Sequence, residues 1–249
     1  MTKSPFSLEG KTILITGASS GIGRATAIEC SRLGASLILT GRNHSRLQQT
    51  ANLCEGRGHR IISADLTVEE DINNILKRVS CIDGLVLSAG KGMMATIPFS
   101  TKDKFIDIFD TNFFYPIELM RLLVRKKKIV KKSSIVAVAS MGGTHFYTNG
   151  NGIYGASKAA LDSYMKFCAR EFATKDIRVN TVLPAMIETP LIQSNSVTEE
   201  EHKKDALTYP LKRYGRPEEV AYAIIYLLSD ASAWVTGTSM VIDGGKSLV

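Results

Sequence analysis

A chain of 249 residues with 44% hydrophobic and 22% charged content can bury one large core, and its length suits a single α/β unit over 1–249 better than two independent domains. No segment reaches the roughly 18 uninterrupted apolar residues of a membrane helix, and no apolar run follows the lysine within residues 1–10; the expectation is a cytoplasmic protein with no membrane partner. The net charge of +7 gathers in one stretch, Arg121, Arg125, Lys126, Lys127, Lys128, Lys131 and Lys132, which reads as a solvated helix end followed by a loop; it lacks the interleaved aromatics of a nucleic-acid surface.

Short β-branched or apolar runs alternate with longer amphipathic stretches, the pattern of a parallel sheet with helices on both faces. The first strand, 12–16, leads into Thr16-Gly17-Ala18-Ser19-Ser20-Gly21-Ile22-Gly23 and then a helical pattern that Gly34 ends. Strand, glycine-rich turn and helix in that order suit a dinucleotide. Gly17 lets the chain turn sharply, Gly21 removes a Cβ where backbone approaches a pyrophosphate, and Gly23 lets the helix pack on the strand. Phosphates would face the unpaired amides and positive dipole end of the helix. The second strand, 36–40, is followed by Gly41-Arg42-Asn43. An acidic residue here would hold a ribose 2′-hydroxyl, whereas arginine can pair with a 2′-phosphate. Arg42 therefore favours NADP over NAD, the alternative being a surface arginine on a solvated loop.

A third strand is expected over 61–64, with Thr67 and Glu70 as a capping box for the helix after it, and a fourth over 84–88. The fifth, 135–140, ends at Ser140, and the sixth covers 178–183. The irregular stretch 184–215, with Pro190, Pro210 and a small helical patch after Thr198, is too long for a simple connector and is expected to be a lid or binding loop. Pro217 with Glu218 and Glu219 reads as a helix start, and the seventh strand is 239–242. Cys30, Cys54, Cys81 and Cys168 have no Cys-x-x-Cys or Cys/His spacing, so neither a disulfide framework nor a metal site is expected.

Tyr154-Gly155-Ala156-Ser157-Lys158 puts a phenol and an ammonium four residues apart, on one face of a helix. A free tyrosine, with a pKa near ~10, is a poor acid or base at neutral pH and needs a neighbouring cation. Lys158 can supply that charge. With TGASSGIG at 16–23, Asp65, the Ser88-Ala89-Gly90 turn, Asn112, Ser140, the Pro184 to Thr189 segment and Ile242-Asp243-Gly244-Gly245, the chain resembles a short-chain dehydrogenase/reductase (SDR) over essentially its whole length.

The resemblance implies a Rossmann-like, doubly wound, seven-stranded parallel sheet and a set of roles. Tyr154 would protonate the carbonyl oxygen as hydride arrives, Ser140 would hydrogen-bond that oxygen, and Lys158 would lower the tyrosine pKa and hold the nicotinamide ribose. Asn112 would orient a water linking Lys158 to solvent. For the cofactor, Ser19, Ser20 and Ile22 join the glycines of the turn, and Asp65 with Leu66 would meet the adenine. Ser88, Ala89 and Gly90 would lie along it, Pro184 and Ile187 near the ring, and Thr189 on the carboxamide or a phosphate. Three departures stand out: Ser88 replaces the usual Asn, Ala185 the usual Gly, and the interval from Ser140 to Tyr154 is long.

In style the closing segment is closest to the bacterial 3-oxoacyl-carrier-protein reductases, which makes a 3-oxoacyl thioester, free or carrier-linked, the leading substrate. Sugar, polyol or other small-molecule dehydrogenases share that style, and a non-catalytic NADPH-sensing protein is the remaining alternative. The resemblance implies a homotetramer built through the helices around 102–128 and 152–174. It places the basic cluster away from the cofactor edge.

Overall fold

A computed structural model of the chain describes residues 4–193 and 198–249. The strands are β1 (Thr12–Thr16), β2 (Ser36–Gly41), β3 (Arg60–Ser63), β4 (Ile82–Leu87), β5 (Ile129–Val138), β6 (Arg178–Pro184) and β7 (Ser239–Ile242). They form one seven-stranded sheet in the order β3-β2-β1-β4-β5-β6-β7, every pair parallel. The expected architecture is thus present. The strands are near-continuous Val, Ile and Leu because both faces are covered.

Alternation along β1 shows how the two faces are built. Leu14 belongs to a core with α3 (Glu69–Arg78), α5 (Tyr115–Arg125) and α6 (Gly152–Ala173), through Ile75, Leu119 and Leu161. Ile13 and Ile15 point the other way, into a core with α1 (Gly21–Arg32), α2 (His44–Leu53) and α9 (Pro217–Leu228), through Ala27, Leu47 and Ile224. β1 pairs with both β2 and β4, so the winding reverses there and a crevice opens at the carboxyl ends of the strands.

The close packing of α1 on β1 rests on Gly23, where an added Cβ would overlap the backbone of Gly17. A rigid main chain cannot move aside as a side chain would. Gly23→Ala should therefore destabilise the fold by about 1–3 kcal/mol, read as a lower urea midpoint with an unchanged slope.

Three local expectations need correction. The basic cluster is not simply a helix end and loop: β5 begins at Ile129, six residues ahead of the expected start at 135, and carries Lys131 and Lys132 on an irregularity opposite the Ile82 to Gly84 step of β4. Lys132 adopts a left-handed φ of 66° and donates to the Asp176 carbonyl at 2.7 Å, so two charges turn outward while Ile129 and Ser133 stay buried. The capping box at Thr67 is absent, because Asp65 Oδ1 takes both the Thr67 amide (3.0 Å) and hydroxyl (2.8 Å), and α3 starts after Val68. Ser88 and Ser140 stand beyond the ends of β4 and β5 rather than in them.

Between α4 (Lys102–Phe109) and α5 the helix widens into a π turn, Asp110–Phe114, that carries Asn112. After β6 come the four-residue α7 (Pro190–Gln193) and α8 (Glu199–Ala206), the helical patch expected after Thr198. There Thr198 and Glu201 do form a capping box. Residues 194–197 of the expected lid lie outside the described residues. No helix among the described residues is long and apolar enough to cross a membrane.

Candidate active site

A cavity of about 870 Å³ occupies the crevice and is lined from the ends of β1, β2, β3, β4, β5 and β6. On the cofactor side it takes in Gly17, Ser19, Ser20, Gly21 and Ile22 from the glycine turn, and Arg42, Asp65 and Leu66 from the strands beyond. Ser88, Ala89, Gly90, Pro184, Ile187 and Thr189 face the same space. Gly23 does not; it lies beneath the turn, as its packing role requires.

Gly17 has φ 67°, and an added Cβ would sit 2.9 Å from the Ala89 backbone, so the turns after β1 and β4 meet without room for a side chain. Thr16 ties them: its Oγ1 accepts from the amides of Ser88 (3.0 Å) and Ala89 (3.1 Å) and donates to the Val86 carbonyl (3.3 Å). The turn holding Ser88 is thus fixed through its backbone amides. Arg24 and Thr50 brace the glycine turn from behind, through Arg24 to the Ser19 carbonyl (2.7 Å) and Thr50 Oγ1 to the Ala18 carbonyl (2.9 Å). Sequence reasoning missed all three buttresses.

Whether these residues suit a dinucleotide is decided at the start of α1. Its N-cap, Ser20, makes no side-chain capping bond and no acid stands in the first turn, so the first amides are left for an anion. Arg42 is exposed at the cavity wall and makes no hydrogen bond or ion pair among the described residues, yet lies close enough to act on Asp65. Burial works against the Asp65 carboxylate, but the Thr67 hydrogen bonds, with Arg42 and Lys91, hold it below the usual range. The site therefore fits a nicotinamide dinucleotide.

On the reacting side, Tyr154 stands in the first turn of α6 and Lys158 one turn further. Lys158 is only 4% exposed; its Nζ donates to the Val138 carbonyl at 2.8 Å and lies 6.0 Å from the centroid of the Tyr154 ring. Burial draws the ammonium down to about 8. Burial also pushes the Tyr154 phenol up, opposed by a hydrogen bond with Ser140. Burial thus outweighs any lowering of the phenol by Lys158. Ser140 Oγ additionally accepts from the Gly142 amide at 3.1 Å, which fixes its position.

Asn112 is fully buried and does not line the cavity. Its Oδ1 accepts from the Lys91 amide (2.9 Å), and Nδ2 donates to the Lys91 carbonyl (3.0 Å) and Ser157 Oγ (3.1 Å). Both Asn112 Oδ1 and Lys158 Nζ stand 3.2 Å from where a Cβ of Gly90 would be, so the two groups approach each other across that glycine. The long interval before Tyr154 folds into a compact loop whose Gly143 packs on the Gly155 backbone. The Ala185 amide, at the position of the usual Gly, donates to the Ile242 carbonyl at 3.0 Å. The basic cluster stands apart: Lys126 and Lys128 line a separate hollow with Asn73, Leu76 and Lys77.

A family model described as enoyl-(acyl carrier protein) reductase matches residues 17–247. The chain belongs to the short-chain dehydrogenase/reductase family. Among the relatives of this SDR, 3-oxoacyl-(acyl-carrier-protein) reductase FabG of Rickettsia prowazekii (strain Madrid E) is 34% identical over 97% of this chain and 99% of its own length. The FabG of Thermotoga maritima is 35% identical over 96% and 98%. A short-chain type dehydrogenase/reductase from Mycobacterium marinum superposes with a TM-score of 0.87 at 33% identity, over 97% of each chain. The SDR described here is accordingly an oxidoreductase acting on CH–OH groups with a nicotinamide cofactor as acceptor.

Proposed function

We propose that this SDR uses NADP(H) to interconvert a carbonyl and a secondary alcohol, with a 3-oxoacyl thioester, free or carrier-linked, as the leading substrate. The observation that carries the reading is the phenol of Tyr154, beside Ser140 and one helical turn from a buried lysine, in the cavity that the uncapped glycine turn also lines. The names of the FabG relatives support the substrate class.

The bound nicotinamide supplies the hydride. Tyr154 gives its phenolic proton to the carbonyl oxygen, and Ser140, held by the Gly142 amide, hydrogen-bonds the same oxygen. Lys158, charged below about pH 8, sets the field at the phenol and reaches the nicotinamide ribose. Asn112 keeps an acceptor lone pair beside Lys158 across Gly90, which suits a bridging water for proton exchange. The turn amides with Ser19, Ser20 and Ile22 take the pyrophosphate, Asp65 and Leu66 the adenine end, and Pro184, Ile187 and Thr189 the nicotinamide end.

Arg42, which makes no hydrogen bond or ion pair among the described residues, is assigned to the 2′-phosphate. Arg42→Ala should weaken NADPH binding by about 10–100-fold while changing NADH affinity far less. Fluorescence titration with both cofactors checks this; an unchanged preference removes Arg42 from the role.

Four cysteines without a disulfide suit a reducing cytoplasm. A homotetramer is supported by exposed aromatics on the helices in question, Phe105 of α4, Phe114 of the π turn and Phe167 of α6. The substrate reading is tested by following NADPH absorbance over a panel of carbonyl compounds. Acetoacetyl thioester should give the highest kcat/KM; a sugar or polyol carbonyl ahead of it would move the enzyme to the other reading.

A further inference from the structure

A buried cation that the proposed reaction does not use stands behind the wall of the cavity. Lys246 is 9% exposed, in the short helical turn that follows β7, and does not itself line the cavity. Its Nζ donates to Thr208 Oγ1 at 2.6 Å and stands over two rings, 5.3 Å from the centroid of Phe146 and 5.0 Å from that of Tyr209. One hydroxyl and two π faces, and no carboxylate, are thus the partners of this ammonium among the described residues. Both rings line the same cavity as Tyr154 and Ser140.

The chain builds this placement. Asp243 accepts from the amides of Gly245 (2.9 Å) and Ser247 (2.7 Å), and the left-handed φ of Gly244 (59°) and Gly245 (86°) turns the backbone back on itself. An added Cβ on Gly245 would lie 2.9 Å from Pro210, so the closing segment is pressed against the stretch that carries Thr208 and Tyr209. Phe146 comes from elsewhere, the loop that begins at Ser140: its amide donates to the Met141 carbonyl (3.2 Å), and its carbonyl accepts from the Gly143 amide (3.0 Å). The two rings reach the cavity from separate loops, one before α6 and one after α8, and the attraction of one cation for both faces joins them.

We propose that Lys246 is a positioning residue for the substrate, whose charge holds Phe146 and Tyr209 at the spacing that grips the substrate beyond its reacting carbonyl. The inference rests on the carbonyl-reductase reading of the cavity. Lys246 acts through the two rings and touches neither the substrate nor the cofactor. Removing its charge therefore loosens substrate binding and leaves Tyr154, Ser140 and the glycine turn in place. In kinetics that is a higher KM at an unchanged kcat.

The test uses acetoacetyl thioester, or whichever carbonyl of the panel turns over fastest, at saturating NADPH. Lys246→Met should raise KM by about five- to tenfold, with kcat within about twofold of the wild type and NADPH affinity unchanged. Lys246→Gln, which keeps a donor for Thr208 but no charge, should do the same. Lys246→Arg, a cation that also sits over ring faces, should bring KM back near the wild-type value. In a Phe146→Leu background, where one π face is gone, the effect of Lys246→Met on KM should shrink to about threefold or less. A wild-type KM in Lys246→Gln, an equal effect with and without the Phe146 ring, or no recovery in Lys246→Arg overturns the positioning role and leaves the reductase reading intact. If Lys246→Met does not fold, Lys246→Gln carries the comparison in both backgrounds; failure of both to fold makes the lysine structural and overturns the proposal. A wild type that turns over no carbonyl of the panel overturns the reductase reading, and the positioning role falls with it.

Discussion

Tyr154→Phe should lower kcat by about 10²–10⁴-fold while leaving NADPH affinity close to that of the wild type. The variant keeps the ring and its packing on α6 and loses only the hydroxyl to which the proton transfer is assigned. Ser140 stays in place, because its oxygen is also held by the Gly142 amide at 3.1 Å. The control is Tyr209, which lines the same cavity and has the Lys246 ammonium 5.0 Å from its ring centroid. Burial, then the Asp205 charge, push Tyr209 up to about 12. Its lysine is engaged with Thr208 Oγ1 at 2.6 Å. Steady-state kinetics on both variants decide between them: a loss in Tyr209→Phe as large as that in Tyr154→Phe would move the proton donor.

Lys158→Met should abolish most turnover and yet raise stability at neutral pH. The ammonium is buried, and its fall from the usual 10.5 to about 8 corresponds to roughly 3 kcal/mol of disfavoured charge. The sign follows from proton binding. Below about pH 8 the folded lysine is charged, and the penalty is fully present; between about 8 and 10.5 the unfolded chain holds the proton more tightly, so stability rises with pH; above 10.5 the penalty has gone. Methionine fills a similar volume without charge but leaves the Val138 carbonyl without its donor, an offset of about 1 kcal/mol. The net gain should be about 1–2 kcal/mol at pH 7, shrinking toward pH 10. Urea unfolding at both pH values checks this, and a variant less stable than the wild type at pH 7 would show that the ammonium is solvated. A site kept at the expense of stability is what catalysis by a buried cation requires.

Much of this was legible in the chain itself. β1 and β7 have the bounds that their apolar runs indicate, and the glycine turn and the Tyr154–Lys158 helix sit where local spacing puts them, because each is a short-range feature. The start of β5 was hidden because Lys131 and Lys132 interrupt the strand pattern at an irregularity that only the neighbouring strand defines. The capping box at Thr67 failed through competition from Asp65, two residues earlier. Asn112 was picked out, but its grip on the Lys91 backbone depends on a π turn with no sequence signature. The Phe146–Lys246–Tyr209 contact left no trace at all, since its members meet only when the closing segment folds against two loops distant in sequence.

In the proposed reaction one phenol and one bound nicotinamide act on the same carbonyl. Rapid mixing of the enzyme with acetoacetyl thioester and NADPH deuterated at the reactive ring carbon tests it directly. Deuterium should appear at the new carbinol carbon in the wild type, and its transfer should be slowed by orders of magnitude in Tyr154→Phe at saturating cofactor. Deuterium transfer at the wild-type rate without the Tyr154 hydroxyl would contradict it.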